Sequence, residues 1–133
     1  MNRLMCGATA LMAVLIGSVG IGAQATPVSR DDFQVGTTAN LLSLCGATET
    51  DPLYTAAQNF CHGYAVATYR AIVKEQMASR AKRKLFCLPS NTVPTRDQAI
   101  ADFVRWASAR PATLSSSPTD GIAEYLAAQY PCP

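Results

Sequence analysis

A chain of 133 residues with a formal net charge of +2 gives no global argument for nucleic acid or a membrane surface as partner. Its length suits one domain rather than several. The first 25 residues read as an export signal outside that domain. Arg3 gives a short positive start, Leu11 to Ile21 an apolar core, and Ala23-Gln24-Ala25 the small-x-small pattern of a cleavage site. The apolar run is too short for comfortable membrane spanning, and Cys6 precedes it rather than ending it, which argues against a lipid anchor. Removing 25 of 133 residues leaves 108, and losing Arg3 brings the charge to +1. A domain of that size folds alone with little to spare.

Loss of Cys6 leaves Cys45, Cys61, Cys87 and Cys132. An even number in a small exported chain reads as two disulfides, with three pairings open. Residues 26–36 read as an extended, flexible lead-in, and 37–133 as the folded domain. Thr37 or Thr38 caps a short helix carrying Leu41, Leu42, Leu44 and Cys45, and Gly46 suits a left-handed residue just past its end. Asp51 is a good cap and Pro52 a good first residue for the next helix. The short turn folds the first helix back on the second, which favours a Cys45–Cys61 bridge.

That second helix, expected from about Pro52 to Leu85, is the apparent centre of the fold. Leu53, Ala57, Phe60, Tyr64, Ala67 and Ala71 recur at three and four, and Cys61, Ala65, Tyr69, Ile72 and Val73 form a second row. So broad a stripe asks to be covered from two sides, as in a bundle. Arg80, Lys82, Arg83 and Lys84 crowd its end, a solvated helix terminus or a docking patch for an acidic partner. Cys87-Leu88-Pro89 stops it. Thr95-Arg96-Asp97-Gln98 matches a capping box opening a helix with Ile100, Phe103, Val104 and Ala107 on one face, ended by Pro111. Ala112 to Ser117 reads as a polar loop. Ser117-Pro118-Thr119-Asp120 opens the last helix, with Ile122, Tyr125, Leu126 and Tyr130 inward. A Cys87–Cys132 bridge would pin the end of the chain. The fold class is all-α: about four helices, two staples.

Catalytic chemistry finds little footing. His62 is the only histidine, and Cys61 beside it diverges from it on a helix. A disulfide would also remove its thiolate. Zinc would have to draw on four cysteines and His62 with no Cys-x-x-Cys pair, and haem attachment needs a second cysteine that Cys61-His62 lacks. Glu75, Asp97, Asp102, Asp120 and Glu124 look like caps or surface charge. Neither an enzyme nor a cofactor is expected. Met77, Tyr54 and Tyr69 could form an adhesive patch or simply fill the core. Binding another protein is the default function.

Leu41-Leu42-Ser43-Leu44-Cys45, Cys61-His62-Gly63-Tyr64, Cys87-Leu88-Pro89 with Gln98 downstream, and Tyr130-Pro131-Cys132 follow one another across nearly all of the mature chain. In that order and spacing the chain resembles the Rap/Tai immunity proteins of type VI secretion, which neutralise peptidoglycan amidase toxins in the periplasm. It departs from the family's usual pattern at Gly36-Thr37-Thr38-Ala39-Asn40, at Ala65, Val66 and Ala67, and at Tyr130. The resemblance implies a periplasmic all-helical domain, commonly a homodimer, that plugs an amidase cleft with an interhelical loop or helix end. Two segments are candidates, Ser90 to Arg96 and Ala112 to Ser117. The first is preferred because Cys87 anchors one side and the Thr95 cap the other, making Ser90, Asn91, Thr92, Val93 and Arg96 the expected partner-binding residues. The alternative is a structural or chaperone-like envelope domain of the same fold with no toxin.

Overall fold

A computed structural model describes residues 26–79 and 83–133; the expected export signal, together with Arg80 and Lys82 of the basic cluster, lies outside the described residues. Among them every regular element is a helix. A 3-10 helix, Arg30–Gln34, is followed by α1 (Thr38–Cys45), α2 (Tyr54–Ala78), α3 (Arg96–Ser108), the one-turn α4 (Pro111–Leu114) and α5 (Pro118–Gln129). The all-α reading holds, and two disulfides staple it.

The centre of the fold is α1, not the long helix. Although only eight residues long, α1 touches α2, α3, α4, α5 and the 3-10 helix, and Leu41 and Leu44 are completely buried. By contrast α2 buries only Ala57, Cys61 and Thr68. Its broad stripe is covered along one line, while Ala67 and Ala71 face solvent and Phe60, Tyr64, Ile72 and Val73 stay half-buried. Small alanines contribute little apolar area, so they extend the pattern without requiring cover.

An eight-residue helix is not stable alone, and α1 is held from both ends. At its start Thr37 forms a reciprocal capping box with Asn40. At its end the Gln58 side chain of α2 donates to the carbonyls of Leu44, Cys45 and Ala47. These bonds satisfy groups that a left-handed glycine would otherwise help to cap. Gly46 accordingly sits at φ −91°, not in the left-handed region expected of it.

Four further expectations change. Residues 26–36 are not an extended lead-in. Val28 is buried, Ser29 and Asp32 form a capping box, and Asn40 of α1 donates to Asp32. Burial raises the Asp32 pKa, but the bonds from Ser29 and Asn40 outweigh it and hold the carboxyl below its usual value. Asp51 is not the cap of α2: one carboxylate oxygen accepts from Leu53 N–H at 2.7 Å and the other from Val28 N–H at 2.7 Å. The carboxylate therefore ties the first segment to the turn, and α2 begins at Tyr54 without a side-chain cap.

At its other end α2 stops at Ala78 rather than near Leu85. The Gln76 side-chain oxygen accepts from the backbone N–H groups of both Leu85 and Phe86, and Phe86 returns into the core against Tyr69, 5.9 Å between ring centroids. Continuing the helix would carry Phe86 and Cys87 away from that packing. Finally, the segment read as a polar loop contains α4, for which Pro111 is the first residue rather than a terminator.

Candidate functional site

The segment from Cys87 to Thr95 is an irregular connection held at both ends. Cys87 is bonded to Cys132, and its backbone N–H donates to the Tyr130 carbonyl at 2.8 Å. At the other end Thr95 and Gln98 form the capping box read from their spacing. Between these anchors Ser90, Asn91, Thr92 and Val93 are exposed, Val93 at 62%. Such a loop presents side chains at fixed places and loses little entropy on docking.

Beside it lies an apolar groove of about 310 Å³ between α2, α3 and α5. Ile100, Phe103, Ile122 and Leu126 form its floor, Ala65, Val66 and Tyr69 one wall, and Val93, Pro94 and Arg96 bring the loop to its rim. Val93 and Arg96 are thus joined to a groove that sequence reasoning missed, whereas Ser90, Asn91 and Thr92 lie outside it on the exposed part of the loop. Ala65 and Tyr69, which the sequence places in the second apolar row of α2, line it. The one local signal was Arg70, a cation four residues on from Val66 on α2, and it lines the groove.

The second candidate segment is built into the core joint rather than projecting. Thr38 accepts no slack there: its N–H donates to the Ser116 carbonyl at 2.8 Å and its hydroxyl to the Ser117 carbonyl at 3.0 Å. Thr113 donates to Glu124 at 2.9 Å.

His62 lies 30% exposed, its Nδ1 3.8 Å from an Asp97 carboxylate that is itself 83% exposed. An ion pair that open to water contributes little. Cys61 beside it is bonded to Cys45 and has no thiolate to offer. Met77, Tyr54 and Tyr69 do not form one patch. Met77 is exposed near the end of α2, Tyr54 begins that helix, and Tyr69 packs on Phe86. Arg83 and Lys84 are exposed. Among the described residues no group of three or more potential ligands could hold a metal, and no helix is long and apolar enough to cross a membrane.

Tyr125 sits beneath the groove, edge-on to Phe103 at 5.5 Å, Trp106 at 5.8 Å and Tyr130 at 6.3 Å. Its hydroxyl is buried without a well-formed hydrogen bond. Burial, and secondarily the Tyr130 hydroxyl nearby, push its pKa well above the usual phenol range. Above about pH 10 the unfolded chain releases this proton before the folded one does, so stability falls as pH rises. Tyr125→Phe removes an unsatisfied polar atom. It is expected to gain about 1 kcal/mol at neutral pH and to lessen the alkaline loss. Urea melts of both chains from pH 8 to 11 measure this; a loss at neutral pH would show that the hydroxyl has a partner.

No curated protein and no solved structure matches the chain. A family model described as Rap1a immunity proteins matches residues 37–132, from the capping threonine of α1 to the last cysteine. That span takes in all five α-helices and both disulfides, and the chain belongs to the Rap1a immunity protein family.

Proposed function

We propose that this protein is a periplasmic immunity protein that binds a peptidoglycan amidase delivered by type VI secretion and blocks its cleft. Family membership across residues 37–132 carries the reading. The two disulfides support it, because such bridges persist in oxidising compartments such as the periplasm. The blocking element is the loop from Ser90 to Arg96, exposed in its middle and fixed at both ends. The protein acts by occupying space and needs no group of its own to react. A homodimer would present two such loops.

The test uses the oxidised chain from Thr26 to Pro133 and small cysteine amidases digesting purified peptidoglycan. Equimolar protein is expected to stop digestion by its cognate amidase; a full set of such enzymes from the same cells, all uninhibited, would overturn the reading. Asn91→Trp with Thr92→Trp is expected to abolish inhibition while leaving the thermal melt within a few degrees, since both side chains are exposed. Inhibition that survives this double variant would exclude the loop as the blocking element.

A further inference from the structure

We infer that the groove between α2, α3 and α5 receives an apolar side chain carried on an acidic segment of the partner protein. The inference rests on the immunity reading only in taking that partner to be a protein. At about 310 Å³ the groove lies at the small end of binding pockets and suits one or two side chains rather than a cofactor. Mostly apolar clefts with a few charged or polar groups at the rim are the usual form of binding sites, and this one continues into the exposed loop through Val93 and Pro94.

The charges at the groove specify the occupant. Arg70 and Arg96 both line it, both are exposed, and neither has an ion pair among the described residues. On α2 the positions three and four away from Arg70 are Val66, Ala67, Val73 and Lys74. No acid there offsets the charge, and Lys74 adds to it. Arg96 is the first residue of α3, where the positive end of the helix disfavours a cation. Two cations with no ion pair among the described residues, beside an apolar trough, complement a segment with carboxylates on either side of an apolar anchor. The anchor supplies most of the affinity and the charges the orientation and choice of partner.

The test follows amide resonances of the labelled, oxidised chain from Thr26 to Pro133 during titration with two peptides, Asp-Asp-Leu-Phe-Asp-Asp and Lys-Lys-Leu-Phe-Lys-Lys. The acidic peptide is expected to shift Val66, Val93 and Ala99, and the basic peptide to leave them in place. Arg70→Glu with Arg96→Glu is expected to weaken the acidic peptide at least tenfold with an unchanged melt. Glutamate at the first position of α3 favours that helix, so a lost signal would not come from unfolding. Equal shifts with both peptides, shifts elsewhere, or none would overturn the inference. So would dodecanoate occupying the groove where the acidic peptide does not, or concentration-dependent shifts at these residues without peptide, which would place a second copy there. Amidase inhibition by the unaltered chain is measured in a separate assay without these peptides, so the immunity reading stands or falls separately.

Discussion

Replacing Gly121 with alanine is expected to cost about 3 kcal/mol, near the upper end for overpacking a well-filled interior. A methyl built on Gly121 would lie 2.4 Å from the Thr38 hydroxyl oxygen, 2.8 Å from its methyl and 3.2 Å from its β-carbon. Thr38 has nowhere to move. It is completely buried, and its hydroxyl reaches the Ser116 and Ser117 carbonyls at 3.2 and 3.0 Å. Either the hydroxyl gives up those bonds or α5 moves away from the start of α1, opening the joint between the two helices.

The companion Thr38→Ala tests this cause. It removes the two closest atoms while keeping the β-carbon, so it should restore part of the stability lost in Gly121→Ala. Thr38→Ala alone should be destabilising, because carbonyls at the joint lose a donor. The two changes are therefore expected to be non-additive, as for residues in direct contact. Thermal melts of the two single variants and the double variant measure it; simple additivity would show that the clash is relieved by a shift elsewhere.

Removing the Cys45–Cys61 bridge by replacing both residues with alanine is expected to cost about 3 kcal/mol by the loop-entropy argument, from a sequence separation of 16. For a domain of this size that corresponds to a fall in Tm of roughly 10–20 °C. It is a large fraction of a typical domain's stability of about 5–15 kcal/mol. Both sulfurs lie in the core, so the truncation also leaves unfilled space around α1. The short helix then depends on Gln58 and on Leu41 and Leu44 for its place against α2. Loop entropy ranks the Cys87–Cys132 bridge higher, by about 1 kcal/mol, since its separation is 45. A drop of less than 1 kcal/mol for the Cys45/Cys61 variant in urea melts would show that packing and Gln58 alone dock α1.

The parts of this fold that depend on neighbours three or four residues away are legible in the chain. Thr37, Thr95 and Ser117 each cap a helix by accepting from the N–H three positions on. In each case the polar oxygen and its target lie within one turn whatever surrounds them. The alternation of helices and turns, and hence the all-α class, follows from the same local rules. The exposed part of the loop from Ser90 to Arg96 is legible too, because a cysteine on one side and a capping threonine on the other mark its ends.

Tertiary structure decided the rest, because burial is a relation between elements. The apolar rows of α2 are longer and broader than those of α1, yet α1 became the hub because it is the element approached from every side. Helix α2 ended early because Gln76, Phe86 and Cys87 found distant partners. Residues 26–36 folded because Asp51, far along the chain, met Val28. Gly121 reads as an unremarkable first-turn residue until Thr38 is set against it. The groove exists only where α2, α3 and α5 come together, and Arg70 acquires its meaning there. Local hydrogen bonds and capping depend on sequence distance, whereas clefts, clashes and unpaired charge depend on spatial distance, which only the folded chain sets.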